Sequence, residues 1–175
     1  MLTPEEVVIA KLKHVTDNGQ IDDLRFEYWV GGGQPPPYYR SEQLRLFAVS
    51  GVVQFEFAIL RFDSKLPPDG ATEKWTMQSD VATFRAISSF LIERHVFETR
   101  YSEETDPGIG GGVSHEIIAS VGAANIKRIY YRVLPSAVAP LIGMLRDRIE
   151  LTKKTGVRSW THQGKSIVDP FSVRR

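Results

Sequence analysis

The chain has 175 residues, 42% apolar and 25% charged, which suits one domain with a real core and excludes disorder of the whole chain. A net charge of +1 gives no general attraction to nucleic acid or membranes. There is no cysteine, which rules out disulfides, thiolate metal sites and cysteine nucleophiles and suits a reducing compartment. The charge is uneven. Residues 151–175 set six cations against Asp169 alone, a balance of +5, which leaves −4 for the rest. The start, Met1-Leu2-Thr3-Pro4, lacks the basic opening of a signal peptide, and Val133–Leu145 is too short and proline-broken to span a bilayer. The expected location is the cytoplasm.

Thr3-Pro4-Glu5-Glu6 reads as a capped helix start, and Val8, Ile9, Leu12 and Val15 continue it at helical spacing to about His14. Asp17-Asn18-Gly19 ends it. Leu24, Phe26, Tyr28 and Val30 alternate with Arg25, Glu27 and Trp29, as in a half-buried strand. The run Gly31 to Pro37 stops that strand. A second strand is expected near Gln43–Val49 and, after a Ser50-Gly51 turn, a third over Val52–Phe62. Leu66-Pro67-Pro68-Asp69-Gly70 is a loop signal. Phe84, Ile87 and Leu91 mark the main amphipathic helix, about 80–94, capped by Ser79 or Asp80. Val96 and Phe97 follow as core plugs, and 102–112 is an acidic, glycine-rich loop. Val113–Val121 and Ile126–Leu134 read as a hairpin. A last helix, from near Ser136 or Pro140, turns Leu141, Ile142, Leu145 and Ile149 inward, and Gly156 can end it.

Clustered strands argue for an α+β fold. The expectation is a single antiparallel sheet of about five strands, two main helices on one face, a short N-terminal helix and an extended C-terminal tail. The chain divides into an N-terminal helix (1–20), an α+β domain (21–152) and a basic, partly apolar tail (153–175).

A strand ending in Gly31-Gly32, the Val96-Phe97 plug, an acidic glycine loop, a hairpin, Pro135 and a closing helix together resemble the small bacterial emfourin-like domains over residues 22–150. Some of those domains inhibit metallopeptidases. The chain is also similar to a related uncharacterised family with a Pro-x-Tyr element in its first loop, here Pro36-Pro37-Tyr38 and Tyr39. The resemblance implies the α+β fold, a binding role and, as an alternative function, peptidase inhibition through residues 31–40. The Pro35-Pro36-Pro37 run, the N-terminal helix and the basic tail depart from that pattern, and no inhibitory residue matches one to one.

No catalytic constellation stands out. His14, His95, His115 and His162 lack metal-ligand spacing. Strand alternation turns His115 away from Ser114 and Glu116, which excludes a relay. Gly108 to Gly112 leads into a strand, whereas a phosphate loop leads into a helix. No enzyme activity and no cofactor or metal are expected. Binding features are stronger. Pro35-Pro36-Pro37-Tyr38 fits the ligand pattern of WW grooves, with a rigid loop as the plainer reading. Trp29, Tyr38, Tyr39 and Arg40 gather interface-prone residue types near one sheet end, the alternative being that Trp29 packs under the N-terminal helix. Arg128, Tyr130 and Arg132 share one face of their strand, which would suit stacked bases and phosphates or ordinary cross-strand pairing, the latter preferred. The tail combines Arg158 and Lys165 with Trp160, Ile167, Val168 and Phe171, as an extended arm would, lying across a partner or across its own domain.

The expected function is thus a protein-interaction module, an accessory or structural subunit docking through Trp29, Pro36, Pro37, Tyr38, Tyr39, Arg40, Arg158, Trp160 and Phe171. Its partner would be another protein or a protein complex, with self-association as an option; nucleic acid is the remaining, less favoured alternative.

Overall fold

Alternation along the strands sets the two faces of the sheet. In β1 (Leu24–Gly32) the side chains of Leu24, Phe26 and Tyr28 are buried. Register carries the pattern sideways. Phe26 stands opposite Leu46 of β2 (Tyr39–Val49) and Ala119 of β5 (Val113–Val121), and Leu46 stands opposite Phe55 of β3 (Val52–Phe62). The computed structural model describes residues 2–21, 23–32, 39–62, 71–97, 113–131, 134–162 and 165–172. It adds β4 (Ala71–Gln78), β6 (Ala124–Tyr131), β7 (Val157–His162) and β8 (Lys165–Val168), and the described strands form one antiparallel sheet in the order β6-β5-β1-β2-β3-β4-β7-β8.

Three helices supply the other half of the core. α1 (Pro4–Asn18) opens with a capping box: the Thr3 hydroxyl accepts from the Glu6 N–H and the Glu6 carboxylate accepts from the Thr3 N–H. It closes at Gly19, whose φ of 71° is left-handed. Asp80 caps α2 (Val81–Glu93), its carboxylate accepting from the Thr83 N–H at 2.6 Å. α3 (Ala139–Thr155) ends in Lys153 and Lys154, which suit its negative terminus. Val8, Leu12 and Val15 of α1, Phe84, Ile87 and Leu91 of α2, and Leu141, Leu145 and Ile149 of α3 join Phe26, Leu46, Phe55 and Phe57 in one buried cluster. α1 packs against β1, β5, β6 and α2, and α3 packs against β3 and β4.

The expected five-stranded sheet is therefore corrected to eight strands. The additions are β4, placed in no element by the sequence reading, and β7 and β8, which lie in the segment read as an extended tail. Each carries too few apolar residues to declare a face. Among the described side chains of β4 (ATEKWTMQ) Trp75 alone is buried, and β8 (KSIV) is exposed along its whole length. Backbone pairing to an existing edge, rather than side-chain burial, places them. The third strand keeps its expected bounds, and its turn is explained by left-handed φ at Ser50 (51°) and Gly51 (78°), the conformation a two-residue hairpin demands. The loops expected at 66–70 and 102–112 lie outside the described residues.

Candidate functional site

The C-terminal segment joins the domain through a tight junction at Gly156. Its backbone leaves α3 extended (φ −77°, ψ 159°), and a Cβ there would stand 2.6 Å from the Thr152 carbonyl oxygen and 2.9 Å from that of Thr76. Only glycine lets α3 end so close to β4. β7 then pairs with β4, Trp75 opposite Arg158 and Glu73 opposite Trp160.

Arg158 fastens this strand. Its guanidinium lies 5.5 Å from the centroid of the Trp75 ring, and Nη2 donates to Glu73 Oε2 at 3.0 Å. Its backbone anchors the end of the hairpin as well. The Asp169 N–H donates to the Arg158 carbonyl at 2.8 Å, while the Arg158 N–H donates to Ser172 Oγ, which in turn donates to the Asp169 carbonyl. Ser172 is thus a hydroxyl bridge inside the ladder.

That bond fixes the orientation of β8. Register places Trp160 opposite Ile167 and His162 opposite Lys165. Facing pairs of an antiparallel ladder alternate between bonded and non-bonded. With Arg158 and Asp169 bonded, Ile167 and Lys165 direct their backbone groups to β7, and Ser166 and Val168 direct theirs to the outer edge of the sheet, which no described strand covers. All four β8 side chains are exposed, Ile167 by 44% and Val168 by 51%, and Phe171 beyond them by 80%.

The described residues among those named from sequence fall on β1, β2, β7 and the turn after β8. Pro36, Pro37 and Tyr38 lie outside the described residues, and Tyr39 and Arg40 open β2. Trp29 sits on the sheet face away from the helices, half-buried, its indole N–H donating to Glu27 Oε2 at 3.2 Å. It does not pack under α1. Arg158 is used within the chain, Trp160 is half-buried in β7, and Phe171 is exposed. Sequence reasoning left Lys165, Ser166 and Asp169 out of the site. Their signal was the short link 163–164 between two strand-length segments, a hairpin pattern.

Of the Arg128, Tyr130 and Arg132 set, Arg132 lies outside the described residues, and Arg128 and Tyr130 share the helix-covered face. Arg128 donates through Nη2 to the Phe97 carbonyl and pairs with Glu5 at 3.8 Å, and Tyr130 is buried. Among the described residues, this pair offers no basic sheet surface. The opposite face carries a row of charges across four strands: Glu27 with Arg45 (3.6 Å), Arg45 with Glu56 (3.6 Å) and Glu56 with Lys74 (3.2 Å). Beside it, Trp29, Gly31, Ser41, Leu60, Ser114 and Glu116 line a shallow groove of about 370 Å³.

On the helix side, the Tyr28 hydroxyl lies 2.8 Å from His115 Nδ1 with the rings stacked. Burial holds the imidazole below its ordinary value, with the nearby Arg146 cation adding to the effect, and burial drives the phenol upward. The pair is therefore neutral near neutral pH. Among the described residues no three histidine, aspartate or glutamate side chains converge to hold a metal ion, and no helix is long and apolar enough to cross a membrane.

The described residues form an antiparallel α+β fold of eight strands with an exposed apolar rim. No protein-family model and no curated protein matches the chain.

Proposed function

We propose that the chain is a cytoplasmic, non-enzymatic protein-interaction module, an accessory or structural subunit that docks through its C-terminal hairpin. The reading is carried by the exposed rim itself: a strand held on one side by β7, with Ser166 and Val168 offering backbone groups to a further strand and Ile167, Val168 and Phe171 exposing apolar surface. The cysteine-free composition suits the cytoplasm.

Affinity capture with the purified full chain, compared with its Ser166→Pro variant, tests this. Residue 166 points its N–H away from β7, so proline there removes an outward donor without taking a bond from the hairpin. Polypeptides retained by the full chain and lost by the variant support docking at the rim. Equal retention by both overturns it.

A further inference from the structure

Resting on that reading, we infer that the partner on the rim is a second copy of this chain, joined β8 to β8 about a two-fold axis through Ile167. Parity restricts the register. Two antiparallel copies of one strand, related by a two-fold axis normal to the sheet, place residues of the same face opposite each other only when the axis passes through a residue. An axis through Ile167 sets Ser166 opposite the second copy's Val168, and Val168 opposite its Ser166. These are the two residues whose N–H and C=O point outward, so the register satisfies both from each copy and closes four backbone hydrogen bonds. An axis through Ser166 would instead bond Ser166 to itself and send Val168 beyond the end of β8.

The same register is charge-complementary. Lys165 and Asp169 lie on the face of Ile167, two residues to either side. Each Lys165 then stands opposite the other copy's Asp169, twice over by symmetry, while the two Ile167 side chains meet on the axis in a non-bonded pair, where side chains come closest. Pro170 lies in the turn that the Ser172 N–H closes onto the Asp169 carbonyl and has no N–H to give, so the ladder ends before it. The opposite sheet edge, β6, is unlike this. It is backed by α1, and its cations Lys127 and Arg128 are paired inside the chain with Glu116 and Glu5. A contact of this length buries less than the roughly 1,200 Å² of stable complexes, so the dimer is weak and forms with rising concentration.

The absence of native cysteine makes the register directly readable. Single Ile167→Cys, Ser166→Cys, Val168→Cys and Lys127→Cys variants of the full chain are exposed to mild oxidant, and covalent dimer is followed on gels. Ile167→Cys should cross-link at least several-fold faster than the other three, because only position 167 meets itself at a disulfide's reach. Sedimentation of the wild-type chain should show mass rising toward twice the monomer with concentration, and Ser166→Pro should abolish the rise while leaving the circular dichroism spectrum unchanged. Cross-linking at 167 no faster than at 127, or a wild-type mass that stays monomeric up to the highest soluble concentration, overturns the inference. If the chain stays monomeric but Ser166→Pro still loses a captured polypeptide, the rim docks a different protein: the second copy falls and the interaction reading stands. If neither self-association nor capture responds to Ser166→Pro, both fall.

Discussion

The centre of the sheet and its C-terminal rim are both antiparallel strands, yet they are held by different forces. At the centre, Phe26, Leu46, Phe55 and Phe57 are fully buried against the side chains of α1, α2 and α3. At the rim, β7 and β8 bury little and are kept by backbone ladders, the stack of Arg158 on Trp75, its pairing with Glu73 and the Ser172 bridge. Burial gives the centre its stability, at roughly 1.5–3 kcal/mol per large apolar side chain. Polar attachment gives the rim a fixed position while leaving its outer edge without a described partner strand, the arrangement on which the proposed docking rests.

The contrast is sharpest for truncations of one residue type. Phe57→Ala should cost about 3–5 kcal/mol in denaturant unfolding, since it empties a filled core site. Phe171→Ala should fall within about 0.5 kcal/mol of wild type, since the ring is 80% exposed. Comparable losses for the two would erase the distinction between centre and rim. Next in size is the junction. Gly156→Ala drives a methyl group into the Thr152 and Thr76 carbonyl oxygens, and a loss of about 1–3 kcal/mol is expected, with faster amide exchange concentrated in residues 157–168. An unchanged melting curve would show that the helix and β4 can separate freely there.

Smaller again is the attachment of β7. Arg158→Ala removes a cation over an indole ring and one ion pair, both partly exposed, and should cost on the order of 1 kcal/mol. Its signature should be local, loosening the hairpin in exchange experiments while the amides of β1 and β3 keep their protection. Uniform loosening would mean that the rim and centre unfold as one unit. The least effect belongs to the centre in acid. The folded-state pKa of His115 is depressed, so its contribution to stability is full above its ordinary value of 6.5 and is lost as pH falls through the folded value. Thermal unfolding of His115→Gln should show a flatter loss of stability below that pH than wild type. Parallel curves would remove His115 from the acid response.

What was legible in the sequence follows the same division. Strand β3 and the caps at Thr3 and Asp80 could be read because each states its role locally: Phe55 and Phe57 alternate with polar residues, and Thr3 and Asp80 sit where the first helical N–H groups need acceptors. β4 and β7 could not, because Trp75 is the one buried apolar residue among the described side chains of β4, while β7 exposes Val157 and only half-buries Trp160; their order comes from lying beside an existing edge. Alternation also set Arg128 and Tyr130 on one side of β6 without saying which side, and it is Arg128's reach to the Phe97 carbonyl that brings a cation under α1. In the tail, Trp160 and Phe171 drew notice by residue type, whereas the edge they border depends on which N–H groups point outward, a property of register that composition does not carry.

The most direct test of the account is residue-resolved amide exchange across β8 at low and high protein concentration. The account predicts alternation at low concentration, with the Ile167 and Asp169 amides protected by β7 and those of Ser166 and Val168 exchanging freely, and protection of the latter two as concentration rises. Equal exchange at all four amides, unaltered by concentration, would contradict it.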